Sequence, residues 1–261
     1  MTAAERLHTR VHGSGPAVLW LHGYTMDSTL WADLWDRLPG FRHVGVDLPG
    51  HGESGPLPAG ITLPRLAAMV APLAREYGAR RLVGLSFGSM IALQLAADEP
   101  ALVERLVVGA PTIGGAPAEP GMRELYLELA MLRRAGGPEA VTTRWMTSPP
   151  DIFRGTEAHP ALRDLIRAVI MRHPWAELRS GAMQAVGRHR QDDAALARIA
   201  AETLVFVGAD DMPTFRDNAD RLRRGVARCR VHPVPGTGHL CLLERPDLAA
   251  PALREHLAAA G

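Results

Sequence analysis

Ser86, an aspartate at 210 or 211, and His239 are residues of the types, and in the chain order, that acyl transfer by a serine requires. A hydroxyl is a weak nucleophile near neutral pH. It needs a base within hydrogen-bond reach, and the base needs a carboxylate that holds it in one tautomer. Ser86 stands at the centre of Gly84-Leu85-Ser86-Phe87-Gly88. In a turn of this kind the serine takes strained backbone angles between a strand and a helix. The glycines flank it because a side chain there would collide as the two elements close. A packed turn of small residues would read the same, so context decides. An apolar run at 81–85 (RLVGL) precedes the turn and a helical segment at 89–98 (SMIALQLAAD) follows it.

Attack on a carbonyl builds negative charge on its oxygen, which backbone N–H groups must already face. The amide of Phe87, next to the serine, is one candidate donor. The amide of Tyr24 is the other, in the loop His22-Gly23-Tyr24 after the run 17–21 (AVLWL), where Gly23 lets the backbone approach. The Tyr24 and Phe87 rings can at the same time be core aromatics. His22 is expected to bond loop backbone rather than act as a base. Asp210 and Asp211 follow the run 203–208 (TLVFVG). An aspartate pair after a strand is also ordinary turn chemistry, and the residues alone leave both open. His239 ends Pro235-Gly236-Thr237-Gly238-His239, after the run 228–234.

The elements that must position these residues alternate. Apolar runs at 17–21, 43–48, 81–85 and 105–109 are too short for helices and read as strands. Helical spacing fills 63–77 and 89–98 between them. Strand–helix alternation predicts a parallel sheet covered on both faces, with the strands' C-terminal ends converging on one crevice. From 111 to 200 strand character stops. Four helical stretches take its place, at 122–134, 138–146, 160–172 and 175–188. Strands return at 203–208 and 228–234, and 246–259 reads as a final helix. A structureless connection of that length is improbable in a compact domain, so a helical cap is expected. The division is 1–110 with 201–261 as core and 111–200 as cap.

Composition narrows the chemistry. The 261 residues are 47% hydrophobic with a net charge of +1 from 29 basic and 28 acidic residues, which fits a globular chain. Every basic residue is arginine, scattered rather than in a stripe, so no nucleic-acid partner is expected. The two cysteines, Cys229 and Cys241, form no CxxC pair or disulfide framework. The first 15 residues carry no apolar signal core, and no apolar run approaches the roughly 20 residues that span a bilayer. A cytoplasmic monomer or homodimer without membrane contact is expected. No histidine is paired at metal-ligand spacing and no Gly-rich dinucleotide fingerprint follows the first strand, so neither a metal nor another cofactor is expected.

With these motifs the chain resembles the α/β-hydrolase superfamily. The matching residues are His22-Gly23, Asp47-Leu48-Pro49-Gly50-His51-Gly52-Glu53-Ser54, Gly84-Leu85-Ser86-Phe87-Gly88, Gly208 with Asp211, and Gly238-His239. They cover nearly the whole chain outside the cap. The resemblance implies an α/β-hydrolase fold: a mostly parallel eight-stranded sheet flanked by helices, with a helical cap inserted after the sixth strand. It selects Asp211 over Asp210 and implies a triad of Ser86, Asp211 and His239, with Tyr24 and Phe87 as oxyanion donors. Within the superfamily the chain looks most like small esterases, enol-lactonases and methyl esterases of pimeloyl-carrier-protein esters. It departs from the pattern at Ser89, where many relatives carry a second glycine, and at Pro213, which comes early after Asp211.

The expected reaction is hydrolysis of an ester, thioester or lactone of a small, partly apolar molecule. A cofactor-free isomerase, cyclase or lyase reusing the pocket is the alternative, because fold does not settle reaction. A ligand-binding module with a vestigial triad is a third reading, disfavoured by the complete residue set. For the substrate pocket the candidates are Tyr24, Trp145, Met146 and Leu240. The cap's other apolar side chains (Met122, Met131, Met171, Trp175 and Met183) serve either the pocket or packing of cap against core.

Overall fold

The computed structural model describes residues 7–117 and 119–259. Residues 1–6 and 260–261 of the expected core, and residue 118 of the expected cap, lie outside the described residues. Seven strands form one sheet: β1 (Thr9–Gly13), β2 (Ala17–Leu21), β3 (Arg42–Val46), β4 (Arg81–Leu85), β5 (Arg105–Gly109), β6 (Glu202–Gly208) and β7 (Cys229–Val234). Their order is β1-β3-β2-β4-β5-β6-β7, with β1 antiparallel to β3 and every other pairing parallel. Strand β2 is buried along its whole length, and β4 and β5 are buried after their first residue. Helices cover both faces of these strands, which is why they read as unbroken apolar runs.

Two expectations are corrected here. Among the described residues the sheet has seven strands, not eight, and the cap follows the fifth strand, not the sixth. The first strand, β1, lies within the first 15 residues, where no strand was expected. Four of its five residues are exposed, because an edge strand pairs through its backbone and needs no apolar pattern.

Before the cap the α-helices are α1 (Ala32–Asp36), α2 (Leu63–Tyr77) and α3 (Phe87–Asp98). Helix α2 starts on a Thr62 cap and stops at Gly78, whose φ of 62° lies in the left-handed region that glycine adopts freely. Helix α3 is buried all round, wedged between the sheet and α2.

Between β5 and β6 the described residues form only helices and turns. These are α4 (Met122–Ala135), α5 (Gly137–Trp145), a 3-10 segment (Asp151–Ala158), α6 (Pro160–Arg172), α7 (Glu177–Ser180), α8 (Ala182–Gly187) and α9 (Asp193–Ala197). This is the inserted helical cap. Its small core contains Leu129, Val141, Ile166, Ile170 and Val186, all fully buried. The helix expected over 175–188 is broken in two by Gly181, at φ 63°. After β6 come α10 (Pro213–Gly225), α11 (Cys241–Glu244) and α12 (Pro246–Ala258).

Candidate active site

Ser86 joins β4 to α3 at φ 52° and ψ −117°, a strained conformation for a residue with a side chain. The glycines make the turn possible. A Cβ on Gly84 would lie 2.5 Å from the Gly88 carbonyl oxygen, and one on Gly88 would lie 2.3 Å from that of Leu21. The Ser86 N–H donates to the Gly109 carbonyl at the end of β5 (2.8 Å), which fixes the elbow to the neighbouring strand. Ser89 is accommodated and used. Its hydroxyl donates to the Ser86 carbonyl (2.6 Å) and accepts from the Thr112 N–H (3.0 Å), tying the elbow to the start of the cap connection.

The three residues that sequence order singled out meet at the C-terminal edge of the sheet. His239 Nε2 lies 2.8 Å from Ser86 Oγ. His239 Nδ1 lies 3.2 and 3.3 Å from the two carboxylate oxygens of Asp211. With Nδ1–H facing the carboxylate, Nε2 is free to accept the serine proton. His239 and Asp211 are buried, whereas Asp210 is exposed and its N–H serves the turn by donating to Thr237. Pro213 fits because it opens α10, where its missing N–H costs nothing. A Cβ on Gly208 would lie 2.0 Å from the Gly238 carbonyl oxygen, so β6 and the His239 loop run in direct contact.

On the opposite side of Ser86 lies the loop after β2. Neither the Tyr24 nor the Phe87 N–H takes part in the turn, loop and cap hydrogen bonds among the described residues. His22 supports this loop as expected. Its Nε2 accepts from the Leu48 N–H (3.0 Å) and its Nδ1 donates to the Gly23 carbonyl (2.8 Å). Burial holds its pKa below the usual histidine value, so it stays neutral. The Asp47–Ser54 motif is bracing. Asp47 accepts the N–H groups of Ser28 (2.8 Å) and Glu53 (2.9 Å) and thereby joins two loops.

A cavity of about 590 Å³ opens over Ser86 and His239 between core and cap. Tyr24, Trp145 and Leu240 line it, as do Met122 and Met183. Met146 does not line it. It is the residue after α5 and is buried, with its carbonyl accepting from Arg163. Met131 is 65% exposed on the outside of α4, and Trp175 is buried. Exposed Arg123, Arg188 and Arg190 border the mostly apolar wall. Among the described residues no group of three or more His, Cys, Asp or Glu side chains could hold a metal ion.

Two buried carboxylates escaped the sequence reading. Glu244 accepts the N–H groups of Gly238 (2.7 Å) and Leu240 (2.9 Å), on either side of His239. Glu177 of the cap accepts the Tyr24 hydroxyl (2.5 Å) and lies 3.0 Å from His173 Nε2. The i,i+4 spacing of His173 and Glu177, beside Trp175, was the available signal.

The family model described as "Alpha/beta hydrolase family" matches residues 18–252. The pimeloyl-[acyl-carrier protein] methyl ester esterase of Nitrosomonas europaea is 28% identical, covering 92% of this chain and 95% of its own. The 2-succinyl-6-hydroxy-2,4-cyclohexadiene-1-carboxylate synthase of an Enterobacter species is 28% identical, covering 93% and 92%. Among solved structures, a thermophilic esterase from Thermogutta terrifontis superposes with a TM-score of 0.81 at 26% identity, covering 97% of this chain and 93% of that one.

Proposed function

The chain belongs to the alpha/beta hydrolase family, and from that premise we propose that it cleaves a carboxylic ester, thioester or lactone through an acyl-enzyme on Ser86. The reaction is of the serine-hydrolase type on a small, partly apolar ester or lactone. The observation that carries the residue assignment is the relay from Ser86 Oγ through His239 to Asp211, at 2.8 and 3.2 Å, at the floor of a largely apolar cavity.

In this reading His239 Nε2 takes the serine proton as Oγ attacks the carbonyl carbon. Asp211 stabilises the imidazolium that forms. The N–H groups of Tyr24 and Phe87, together with the N-terminus of α3, receive the oxyanion. Collapse of the tetrahedral intermediate expels the alcohol or thiol, which takes its proton from His239. Water, activated by the same histidine, then releases the acid and restores Ser86. Residues 111–200 act as a cap that shapes the pocket, with Tyr24, Trp145 and Leu240 on its wall. No helix among the described residues is long and apolar enough to cross a membrane. We place the protein in the cytoplasm as a monomer or homodimer acting on a small molecule.

The test is intact-mass spectrometry after treatment with a fluorophosphonate. One adduct, on Ser86, is expected, and Ser86→Ala should lose ester turnover on the order of 10⁴- to 10⁶-fold. An adduct elsewhere, or none on a protein that hydrolyses esters, overturns the assignment. A second reading, a cofactor-free lyase, isomerase or cyclase, draws on the synthase matched over nearly the same span as the esterase. Product analysis separates the two, since only hydrolysis releases a free acid carrying oxygen from labelled water.

A further inference from the structure

The loop that carries Tyr24 is held from the cap at three successive points. Glu177 of α7 accepts the Tyr24 hydroxyl at 2.5 Å, Trp145 of α5 donates its indole N–H to Thr25 Oγ1 at 2.8 Å, and Arg172 of α6 lies 3.0 Å from Asp27 Oδ2. Thr25 Oγ1 passes the connection on, donating to the Tyr24 carbonyl at 2.6 Å. Thr25 sits at φ 64°. A β-branched residue rarely enters this left-handed region and stays there only when its surroundings hold it.

The Tyr24 ring is enclosed as well. Phe87 beside the nucleophile lies at 6.4 Å between ring centroids, and the cap rings of Trp145, His173 and Trp175 lie at 5.6, 5.8 and 6.2 Å. Packing would suffice to attach a cap to a core. Burying the Glu177 carboxylate is expensive, and replacing buried ionic groups by apolar ones often leaves a protein as stable or more so. Burial by itself pushes the Glu177 carboxyl up, yet the His173 ring and the Tyr24 hydroxyl hold it below the usual carboxylate range. Burial, then the Glu177 charge, keeps the Tyr24 phenol protonated and donating.

We infer that the cap sets the oxyanion hole: Glu177 and Trp145 are positioning residues that hold Tyr24 and Thr25 in the backbone shape that aims the Tyr24 N–H at the reacting carbonyl oxygen. The inference rests on the assignment of Ser86 as nucleophile and Tyr24 as oxyanion donor. It makes the cap part of the catalytic apparatus rather than only a wall that selects substrate.

The experiment measures kcat and KM for p-nitrophenyl butyrate, and the rate of fluorophosphonate labelling, in Tyr24→Phe, Glu177→Leu, Glu177→Gln, Trp145→Phe and the double variant Tyr24→Phe/Glu177→Leu. Tyr24→Phe and Glu177→Leu should each lower kcat and the labelling rate about 10- to 100-fold, with KM within about twofold, because the lost contact acts on the transition state. The double variant should fall no further than either single one, because both remove the same link. Glu177→Gln, whose amide oxygen still accepts the phenol proton, should recover most of the activity. Trp145→Phe keeps an aromatic ring but loses the N–H donor and part of the ring's volume, and should shift kcat in the same direction. A rise in KM at constant kcat, multiplying effects in the double variant, or a wild-type kcat in Tyr24→Phe overturns the inference. If Glu177→Leu does not fold, Tyr24→Phe decides, since it removes a single oxygen atom. Absence of both ester turnover and Ser86 labelling in the unaltered protein overturns the proposed function instead.

Discussion

The Glu244 carboxylate brackets His239, accepting the backbone N–H of the residue before it at 2.7 Å and of the residue after it at 2.9 Å. The cap reaches the same carboxylate, for a Cβ on Gly155 would lie 2.1 Å from Glu244 Oε2. Glu244 therefore fixes the peptide from which His239 projects toward Ser86. Burial pushes its carboxyl up, and the two N–H groups pull against that. Glu244→Gln can satisfy only one of the two donors, because the amide nitrogen then faces an N–H. We expect a loss of about 1–3 kcal/mol in stability, the cost of one buried group left unpaired. A fall in kcat of roughly tenfold should accompany it, since small displacements of a base are costly. Urea unfolding beside steady-state kinetics checks both, and unchanged kcat would leave Glu244 as a stability element only.

Asp211 and Asp210 should separate sharply. Asp211→Asn places an amide beside His239 Nδ1 and favours the wrong tautomer, so kcat should drop on the order of 10³- to 10⁴-fold with folding intact. Asp210 is exposed. Asp210→Asn should stay within about twofold. Equal effects in the two variants would show that the carboxylate seen beside His239 is not the one that matters.

Gly208→Ala should damage activity although residue 208 carries no catalytic group. The added Cβ would lie 2.0 Å from the Gly238 carbonyl oxygen and 2.4 Å from that of Thr237. Strand β6 and the His239 loop must then part, which separates Asp211 from His239. Gly225→Ala is the matched control, since its Cβ would meet only Leu196 side-chain atoms at 3.5 Å. We expect poor folding or a kcat loss above roughly a hundredfold at 208 and wild-type behaviour at 225. Wild-type kinetics in Gly208→Ala would mean that the loop yields freely.

Acid should destabilise the fold before the carboxylates titrate. Burial pulls the pKa values of His43 and His256 down to about 4, against the hydrogen bonds to Leu38 and Leu106 that raise them. Both side chains are buried. Between pH 6.5 and about 4 the unfolded chain binds protons at these residues that the folded chain does not. Stability is therefore complete above pH 6.5 and declines as pH falls, by up to about 1.4 kcal/mol per pH unit for each histidine. Urea midpoints measured from pH 7.5 to 4 should show the decline, and His43→Gln with His256→Gln should make it shallower, the remainder coming from His22 and His51, whose pKa values burial also lowers. An unchanged slope in the double variant would assign the acid sensitivity to other groups.

Chain-length preference should follow the residues that face the cavity and ignore those that do not. Met122 and Met183 line it. Enlarging either to tryptophan should shift the kcat/KM profile for p-nitrophenyl esters toward shorter acyl chains, by about 1–3 kcal/mol, or roughly ten- to a hundredfold. Met146 packs away from the cavity. Met146→Ala should leave the profile in place and cost about 2–5 kcal/mol in stability. A profile that moves with Met146 and not with the other two would mean that the substrate lies elsewhere.

Local sequence determined a good deal of this protein. Short apolar runs between glycines and polar residues specify β2 to β6 because those strands are buried on both faces, where composition and position coincide. The serine turn was legible because a side chain at 84 or 88 would strike backbone, so the glycines record a steric fact. Other features depended on tertiary structure. Strand β1 pairs at an exposed edge, where no apolar pattern is required. Residue type and position alone left Asp210 and Asp211 open and resemblance selected Asp211, while the folded loop is what buries Asp211 beside His239 and leaves Asp210 exposed. Met146 follows Trp145 by one residue and both are buried, yet only Trp145 lines the cavity, since a helical step of one turns the side chain by about 100°. In the sequence Glu177 offers only its spacing from His173, and Glu244 looks like any surface glutamate. Their partners are, respectively, a tyrosine 153 residues away and two backbone amides within six residues that face them only once the loop has closed. Local pattern records which faces are buried, whereas only the folded chain decides which polar atoms meet inside.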